Sequence, residues 1–350
     1  MSYIKKPRIL HPQLAPNGIG LSIHDYEGAM STLCAGCGHD SVSAAIIQAF
    51  FELDVEPHRV AKLSGIGCSS KTPTYILRTA HGFNSVHGRM PSIATGANAA
   101  NRELHYIGIS GDGDSLSIGL GQLCHAIRRN VNMLYVIENN GVYGLTKGQF
   151  SASADVGSTA KKGDVNQLQP IDPVVTAIDI GGSFVARGFS GDKRNLVPLI
   201  KAGIMHRGFA LLDVISPCVT FNDHDGSTKS YLHTREAAHT AVYADFIPEK
   251  EEIPVKVEKG VTSVMLHDGG QVHLRYVDED YDPTDRGKAV AYVRQHQAKG
   301  EIVTGLLYID DKISDLHEAN DTADTPLVEL DFETLNPGSK ALEEIQKAWG

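Results

Sequence analysis

The stretch His105-Tyr106-Ile107-Gly108-Ile109-Ser110-Gly111-Asp112-Gly113-Asp114 carries the strongest fold signal in the chain. Its first six residues are predicted to form a short buried strand, residues 115–129 a helix, and residues 133–137 a second strand. A strand, a helix and a strand in this order make a βαβ unit with parallel strands. We therefore predict an α/β fold in which helices cover both faces of a doubly wound, mostly parallel sheet.

Other apolar segments continue this alternation along the chain. Further strands are predicted over residues 59–63, 174–180, 184–187, 209–215 and 302–307, although 174–180 is short enough to be a helical turn. Further helices are predicted over residues 41–53, 287–299 and 338–349. The small and polar residues 151–166 are predicted to form a loop over the site.

Polar residues follow both strands of the first βαβ unit. Asp112 follows the first strand, and Asn140 and Val142 follow the second within Asn139-Asn140-Gly141-Val142-Tyr143-Gly144. The carboxyl ends of parallel strands meet at one edge of the sheet, where open α/β folds bind ligands. Mg²⁺ takes oxygen ligands and is commonly shared with a substrate phosphate. The Asp112 carboxylate, the Asn140 side-chain carbonyl and the Val142 backbone carbonyl supply such oxygens.

Glycines at positions 111 and 113 let the backbone approach a phosphate closely. The helix that follows presents free N–H groups to the same place. A lone Gly-Asp-Gly turn is also a common loop, but here it is combined with the second turn and the strand, helix, strand context. Together these features predict thiamine diphosphate held through Mg²⁺.

The five cysteines form the second constellation. Cys34 and Cys37 make a C-x-x-C pair in a glycine-rich turn, and Cys68 and Cys218 each lie in a loop after a predicted strand. Cys124 instead lies among apolar residues of a predicted helix and is interpreted as a small buried side chain. One C-x-x-C pair with two distant single cysteines suits a [4Fe–4S] cluster, and structural zinc stays open as the alternative. Disulfides are disfavoured by the length of the chain and the lack of a secretory segment.

Seven short motifs occur in a fixed order along the chain. They are Cys-x-x-Cys-Gly-His, Gly-Ile-Gly-Cys-Ser-Ser, His87-Gly88-Arg89, Ala94-Thr95-Gly96, Gly-Asp-Gly-Asp, Asn-Asn-Gly-Val-Tyr-Gly-Leu-Thr-Lys-Gly-Gln and Cys-Val-Thr-Phe-Asn. In this order the chain is similar to the β subunits of 2-oxoacid:ferredoxin oxidoreductases, most of all to the 2-oxoglutarate branch, over roughly residues 25–250. One departure is Ala35, which stands where the family usually has proline in the C-x-x-C turn.

The resemblance implies a set of site residues. It implies a [4Fe–4S] cluster ligated by Cys34, Cys37, Cys68 and Cys218, and Mg²⁺ held by Asp112, Asn140 and Val142. The residues implied to line thiamine diphosphate are Ile66, Gly67, Cys68, Ser69, Thr95, Gly113, Asp114, Gly144 and Leu145. No catalytic residue is assigned in this chain, because the glutamate that activates the cofactor is expected on a partner subunit.

The implied activity is CoA-dependent oxidative decarboxylation of a 2-oxoacid, with ferredoxin as the electron acceptor. The implied partner is the α subunit, or a fused α/γ subunit, in an (αβ)₂ assembly. Lys71 is a candidate for pairing with the second carboxylate of 2-oxoglutarate, or else a solvated loop lysine. Arg89 is a candidate for contacting an anion, or else part of a structural ion pair.

Three other functions stay open on the sequence. A pyruvate or broad 2-oxoacid:ferredoxin oxidoreductase would use the same motifs. A non-redox thiamine diphosphate decarboxylase or synthase subunit would use the cysteines structurally. A non-catalytic electron-transfer subunit would hold a cluster but leave Asp112 and Asn140 without a role.

Composition limits the remaining classes. The 350 residues are 41% hydrophobic and 21% charged, which is typical of a globular protein. A net charge of −10 argues against nucleic-acid binding. No apolar run reaches the length of a membrane span, and the pattern of thiols favours the cytoplasm.

We divide the chain into three parts on its sequence pattern. Residues 1–30 are predicted to form an extended arm, residues 31–250 the domain that binds thiamine diphosphate, Mg²⁺ and the cluster, and residues 251–350 a C-terminal extension. The extension is predicted to pack on the domain or on a partner subunit.

Overall fold

The structure is a computed structural model, and it describes residues 15–160, 163–247, 261–266, 270–276 and 281–349. Within these ranges the chain forms twelve strands and eleven α-helices, joined by short 3₁₀ segments. The strands are β1 (Val60–Ser64), β2 (His81–Asn84), β3 (His105–Gly111), β4 (Met133–Asn139), β5 (Val142–Tyr143), β6 (Gln149–Phe150), β7 (Phe184–Phe189), β8 (Phe209–Ile215), β9 (Ala238–Ile247), β10 (Val261–Met265), β11 (Gln271–Tyr276) and β12 (Ile302–Ile309). The helices are α1 (Gly38–Glu52), α2 (Thr72–Tyr75), α3 (Met90–Ala100), α4 (Leu120–Arg128), α5 (Pro173–Asp179), α6 (Lys193–Met205), α7 (Tyr231–Ala237), α8 (Arg286–Gln297), α9 (Leu316–Asn320), α10 (Phe332–Leu335) and α11 (Gly338–Trp349).

Ten of these strands form one sheet in the order β10-β11-β9-β12-β7-β8-β4-β3-β1-β2. The six strands from β7 to β2 in this order are parallel to their neighbours. Strand β12 is antiparallel to β7 and parallel to β9, and β9, β11 and β10 pair in antiparallel fashion. The predicted α/β fold with a mostly parallel sheet is confirmed.

The centre of the sheet is the core of the molecule. Every residue of β4 and of β8 is buried, as expected for parallel strands covered on both faces. Helices α1 and α6 pack against each other, as do α5 and α8, and α3 and α4. Burial of one large aliphatic side chain stabilises the fold by about 1.5–3 kcal/mol, so these two strands anchor the turns at their ends.

Two predicted elements differ from the structure. Residues 173–179 form helix α5 rather than a strand, because the Asp172 side chain accepts hydrogen bonds from the Val174 and Val175 N–H groups and Pro173 occupies the first turn. The helix predicted over 115–129 is interrupted at Gly119. It begins as a π-helix over Gly113–Ile118, in which Gly119 N–H donates to the Asp114 carbonyl at 2.9 Å, and continues as α4.

The three-part division of the chain stays a prediction. In the described part of the N-terminal arm, residues Ile23–Tyr26 form a 3₁₀ helix that packs near α1. In the proposed extension, β12 pairs with β7 and β9 within the main sheet, and the helices predicted near its middle and end form as α8 and α11. Residues 1–14, 248–260 and 277–280 lie outside the described residues.

None of the helices in the described ranges is both long enough and apolar enough to cross a membrane.

A buried ion network ties the elements that carry the site. Arg187 of β7 donates through Nε to Asp213 of β8 and through an Nη to Asp172 at the start of α5, each at 2.7 Å. Asp213 also accepts from the Asn139 side chain of β4 at 3.0 Å. Burial by itself would raise the pKa of Asp172, but the Arg187 charge holds it below its usual value. The network therefore fixes the carboxyl end of β4 relative to β7 and β8.

Replacing Arg187 by methionine will leave two buried carboxylates without their cation. We expect R187M to lower the free energy of unfolding by about 3–5 kcal/mol, measured by urea denaturation. The matched control is K288M, which removes an exposed lysine 4.0 Å from Asp285 and is expected to cost less than about 1 kcal/mol. Equal stability of R187M and K288M would contradict this role.

Candidate functional site

A cavity of about 140 Å³ lies at the carboxyl edge of the parallel strands. Its walls come from the start of α1, the loop after β1, residue 87, and the turns after β3 and β4. The lining residues are His39, Ile66, Gly67, Cys68, Ser69, His87, Gly111, Asp112, Gly113, Asp114, Asn140, Val142, Tyr143, Gly144, Leu145 and Thr146. The cavity thus unites most of the residues that the sequence selects for Mg²⁺ and thiamine diphosphate.

Asp112 is the buried acid of this cavity. Its Oδ2 accepts hydrogen bonds from the hydroxyls of Ser151 and Ser153, the latter at 2.7 Å, and its Oδ1 accepts from the Asn140 N–H at 3.3 Å. Burial raises the pKa of the Asp112 carboxyl, and these hydrogen bonds oppose the rise. A buried carboxylate held in one orientation suits a bound cation.

Asn140 lies beside Asp112 in the turn after β4. Its Oδ1 accepts from the Val142 N–H at 3.1 Å, and its backbone carbonyl accepts from the Asn222 side chain at 2.7 Å. Gly141 between them has φ of +76°, which a glycine adopts readily. The three residues predicted to hold Mg²⁺ therefore come from two adjoining turns, and their oxygens fit the preference of this ion.

Three glycines keep the backbone of the cavity in close approach to its neighbours. A Cβ on Gly111 would lie 2.7 Å from the Ser69 hydroxyl, and one on Gly113 would lie 2.5 Å from the Tyr143 ring. A Cβ on Gly65 would lie 1.9 Å from the Asp114 carboxylate. A side chain at any of these positions would overlap its neighbour, so the turns pack closely around the cavity.

Asp114 is held by the wall of the cavity. Its carboxylate accepts from the Gly88 N–H at 2.7 Å and from the Ser110 hydroxyl at 2.5 Å, and it also contacts His87. The loop that carries His87 is therefore fixed to the turn after β3. His87 and Arg89 flank Gly88 and were interpreted from the sequence as one polar cluster. In the structure His87 lines the cavity and Arg89 does not.

Cys68 and Cys218 approach each other at the mouth of the cavity. A Cβ on Gly144 would lie 3.6 Å from the sulfur of each, so the two sulfurs lie within twice that distance of one another. Burial, with the neighbouring Cys218, raises the pKa of the Cys68 thiol. Two thiols within this distance of each other can ligate one metal centre, either a cluster or a single ion.

The C-x-x-C pair lies beside them. Cys37 is the N-cap residue of α1, and burial raises the pKa of its thiol to about 12, with Glu138 and Cys218 adding to the rise. Cys34 is exposed, and its sulfur accepts from the Thr220 hydroxyl at 3.3 Å. The Cys218 loop thus contacts both halves of the cysteine set.

Among the described residues, no three His, Cys, Asp or Glu side chains lie together in the arrangement of a site for one metal ion. The proposed Mg²⁺ set contains only one residue of these types, Asp112. A [4Fe–4S] cluster holds its four thiolates around a cube of eight atoms rather than around a single ion.

A buried polar group beneath the cavity was not found from the sequence. Glu138 of β4 accepts from the Thr72 hydroxyl at 3.0 and 3.1 Å and lies 3.4 Å from His39, whose Nδ1 is 2.6 Å from the Ser216 hydroxyl. Burial raises the pKa of Glu138 well above its usual value and lowers that of His39 to about 4. The signal in the sequence was a glutamate that directly follows the apolar residues 133–137 of this strand. These four residues tie together the segments carrying Cys68, Asn140, Cys37 and Cys218.

Three predicted residues do not line the cavity. The Thr95 hydroxyl donates to the Pro91 carbonyl within α3 at 2.8 Å. Arg89 is exposed at the N-cap of α3. Lys71 donates through Nζ to the Thr32 hydroxyl at 3.0 Å, outside the cavity. Their roles in binding stay predictions.

A larger cavity of about 570 Å³ lies on the far side of Asn139 and Ser153. Its buried cations are already matched, since Arg187 pairs with two aspartates and Lys229 lies 3.2 Å from the Asp155 carboxylate. The smaller cavity is the stronger candidate, because it brings together the residues predicted to bind Mg²⁺ and thiamine diphosphate.

Comparison with known proteins agrees with this site. Residues 65–214 match the family described as thiamine pyrophosphate enzyme, C-terminal TPP binding domain. The chain is 39% identical over 243 residues to a 2-oxoacid:ferredoxin oxidoreductase subunit beta of Saccharolobus solfataricus, covering 66% of this chain and 76% of that protein. It is 40% identical over 191 residues to the 2-oxoglutarate oxidoreductase subunit KorB of Mycobacterium tuberculosis, covering 54% and 51%.

A solved structure is also similar. It is a 2-oxoglutarate:ferredoxin oxidoreductase from Magnetococcus marinus with 2-oxoglutarate, coenzyme A and succinyl-CoA bound, at a TM-score of 0.69 and 29% identity, covering 89% of this chain and 94% of that one. The fold and the family match define a thiamine pyrophosphate-binding domain. The chain belongs to the 2-oxoacid:ferredoxin oxidoreductase β-subunit family, whose members are parts of multi-subunit oxidoreductases.

Replacing Gly113 by alanine will force the Tyr143 ring away from the turn after β3. We expect G113A to lower the free energy of unfolding by about 1–3 kcal/mol, measured by thermal or urea denaturation. The control is G121A, on an exposed position of α4 where a Cβ meets no atom within 4 Å. G121A is expected to be neutral or stabilising by up to about 1 kcal/mol. If G113A were as stable as G121A, the close approach at Tyr143 would not constrain the turn.

Proposed function

We propose that the chain is the β subunit of a CoA-dependent 2-oxoglutarate:ferredoxin oxidoreductase. The reaction converts 2-oxoglutarate, CoA and oxidised ferredoxin to succinyl-CoA, CO₂ and reduced ferredoxin, and it is reversible. The observation that carries this proposal is the position of Gly144. It lines the cavity that contains Asp112 and Asn140, and its Cβ position is 3.6 Å from the sulfurs of Cys68 and Cys218. The residues for cofactor binding and those for electron transfer therefore share one wall.

The cofactors belong to this proposal. Cys34, Cys37, Cys68 and Cys218 ligate a [4Fe–4S] cluster, which fits their position in adjacent loops. When bound, thiamine diphosphate supplies the decarboxylation chemistry, and the cluster takes up the electrons one at a time. Gly144 adjoins the residues that would hold each of these groups, so the two would be bound near each other.

The protein's own residues hold and orient the cofactor. Asp112, Asn140 and the Val142 carbonyl hold Mg²⁺, with Ser151 and Ser153 fixing the Asp112 carboxylate. The backbone at Gly67 and Gly113 and the Ser69 side chain contact the diphosphate side, with Thr95 and Asp114 as further candidates. Ile66 and Leu145 are 36% and 57% exposed at the cavity, so their apolar side chains are available to the organic part of the cofactor.

The partner completes the site. The named relatives are β subunits, which implies an α subunit. We propose that the α subunit, or a fused α/γ subunit, covers Ile66 and Leu145 and supplies the activating glutamate, in an (αβ)₂ assembly that reduces ferredoxin. The support is the exposed apolar rim of the cavity, formed by Ile66 and Leu145.

Serine in place of Cys218 will remove one proposed cluster ligand. We expect anaerobically purified wild-type complex to contain about four irons per β chain, and C218S to lose most of this iron and its visible absorbance. The control is C124S, because Cys124 lies in α4 away from the cavity and its loss is expected to leave the iron unchanged. Zinc in place of iron in the wild type would overturn the oxidoreductase proposal and favour a structural metal.

Substrate choice is tested by comparing 2-oxoglutarate with pyruvate in CoA-dependent reduction of a viologen dye by the αβ complex. We expect 2-oxoglutarate to be the better substrate, and K71M to raise its KM roughly tenfold or more with little change for pyruvate. A charge-assisted hydrogen bond to the second carboxylate is worth about 1.5–3 kcal/mol. The control K288M changes an exposed lysine of α8 and should alter neither KM. Activity on pyruvate alone would keep the reaction class and exclude the role of Lys71.

A further inference from the structure

The segment from Cys218 to Lys229 joins the cysteines to the turn that carries the proposed Mg²⁺ residues. Its central residue, Asn222, donates through its backbone N–H to the Cys218 carbonyl at 2.9 Å. The Asn222 side-chain Nδ2 donates to the Asn140 carbonyl at 2.7 Å. One residue therefore bonds both to a proposed cluster ligand and to a proposed Mg²⁺ ligand.

The same segment also contacts Gly148, which follows the Asn140 turn, and Asp155 in the loop beyond it. A Cβ on Gly148, whose φ is +93°, would lie 2.9 Å from the Phe221 Cβ. The Thr228 hydroxyl and the Lys229 ammonium donate to the Asp155 carboxylate at 2.6 and 3.2 Å. Asp155 belongs to the loop that supplies Ser151 and Ser153 to Asp112, so the segment also reaches the residues that fix this acid.

Asn222 is rigidly held. It is 2% exposed, and the Ser227 hydroxyl donates to its carbonyl at 2.9 Å. Because the Asn140 backbone carbonyl accepts a hydrogen bond, the NH₂ end of the Asn222 side chain faces the turn. The Asn222 Oδ1 is buried and accepts no hydrogen bond from any residue that the structure describes.

The Asn140 turn packs closely against Asn222 at Gly141. A Cβ at Gly141 would lie 3.0 Å from the side-chain Nδ2 of Asn222 and 3.4 Å from the Lys229 side chain. Movement of the Cys218 loop is therefore transmitted to the backbone of the Asn140 turn by direct contact.

We propose that Asn222 is a positioning residue that couples the cluster to the cofactor site, so that ligation of Cys218 raises the affinity for Mg²⁺ and thiamine diphosphate. The proposal rests on the proposed function, which supplies both groups. Ligation fixes the Cys218 loop, Asn222 fixes the Asn140 carbonyl, and the turn is then held in its binding geometry. Because coupling between two binding sites is reciprocal, bound Mg²⁺ and thiamine diphosphate must also strengthen the binding of the cluster.

The test uses the anaerobic αβ complex as wild type, N222A, N222D and N98A. N222D keeps the size of the side chain but cannot donate to Asn140. Asn98 is a matched control, since it is 1% exposed, donates to the Asn132 carbonyl at 3.1 Å and also has an unpaired Oδ1 among the described residues. Asn132 precedes β4 at its amino end, opposite the cavity.

Calorimetry would give the dissociation constant of thiamine diphosphate at saturating Mg²⁺, before and after removal of the cluster with a chelator. Wild type and N98A are expected to bind roughly tenfold more weakly without the cluster, within the usual range of coupling between sites. N222A and N222D are expected to bind weakly in both states, with a difference below about twofold. Full cluster dependence in both Asn222 variants, or no dependence in the wild type, would overturn the proposal.

A second measurement needs no removal of the cluster. Adding Mg²⁺ and thiamine diphosphate should shift the midpoint potential and the electron paramagnetic resonance spectrum of the reduced cluster in wild type and N98A, and not in N222D. An equal shift in N222D overturns the coupling role while leaving the proposed function intact. A wild-type complex that contains no iron, or that binds no thiamine diphosphate, overturns the proposed function and this inference together.

Discussion

The register of four parallel strands controls the rest of this structure. Ser64 of β1 pairs with Ile109 of β3, Gly111 with Glu138 of β4, and Asn139 of β4 with Ile215 of β8. The four strands therefore end at one edge, with neighbours about 4.8 Å apart. Four connecting segments begin at that edge and therefore lie next to one another: the loop of Cys68, the turns of Asp112 and Asn140, and the loop of Cys218. A register slip of one residue would turn every side chain of the slipped strand to the opposite face of the sheet.

Meeting at one edge has an energetic cost, because polar groups are buried there. Asp112, Asp114 and Glu138 are almost fully buried, and each would be strongly unfavourable alone. Hydrogen bonds to each carboxylate offset this cost. Serine hydroxyls donate to Asp112, a hydroxyl and a backbone N–H donate to Asp114, and the Thr72 hydroxyl donates to Glu138. These donors fix the orientations of the acids, so the carboxylate of Asp112, a proposed Mg²⁺ ligand, is held in one position.

Strand β12 and helix α11 in the C-terminal part of the chain differ in how much they contribute to the core. Strand β12 inserts beside β7 and continues the main sheet toward β9, β11 and β10, so it is part of the core. Helix α11 buries no side chain, and its apolar residues Leu342, Ile345 and Trp349 are 55%, 58% and 89% exposed. The amphipathic pattern of this helix was visible in the sequence, because residues three and four apart lie on the same face. The cavity uses neither β12 nor α11.

Local patterns in the sequence predict the class of fold, most of the elements and the residues of the two turns, because strand periodicity and glycine placement are local properties. They also set Cys124 apart from the other cysteines, since its neighbours are apolar, but its side chain is only partly buried rather than buried. They leave residues 174–180 open between a strand and a helical turn, which the Asp172 cap and Pro173 decide in favour of helix α5, and they miss the break at Gly119, which depends on a hydrogen bond to Asp114. Three contacts arise only from the tertiary fold: Gly144 lies between Cys68 and Cys218, Glu138 lies beneath the cavity, and Asn222 bonds to Asn140. These contacts join residues far apart in the chain, and their partners are fixed by the pairing of the sheet rather than by any local pattern.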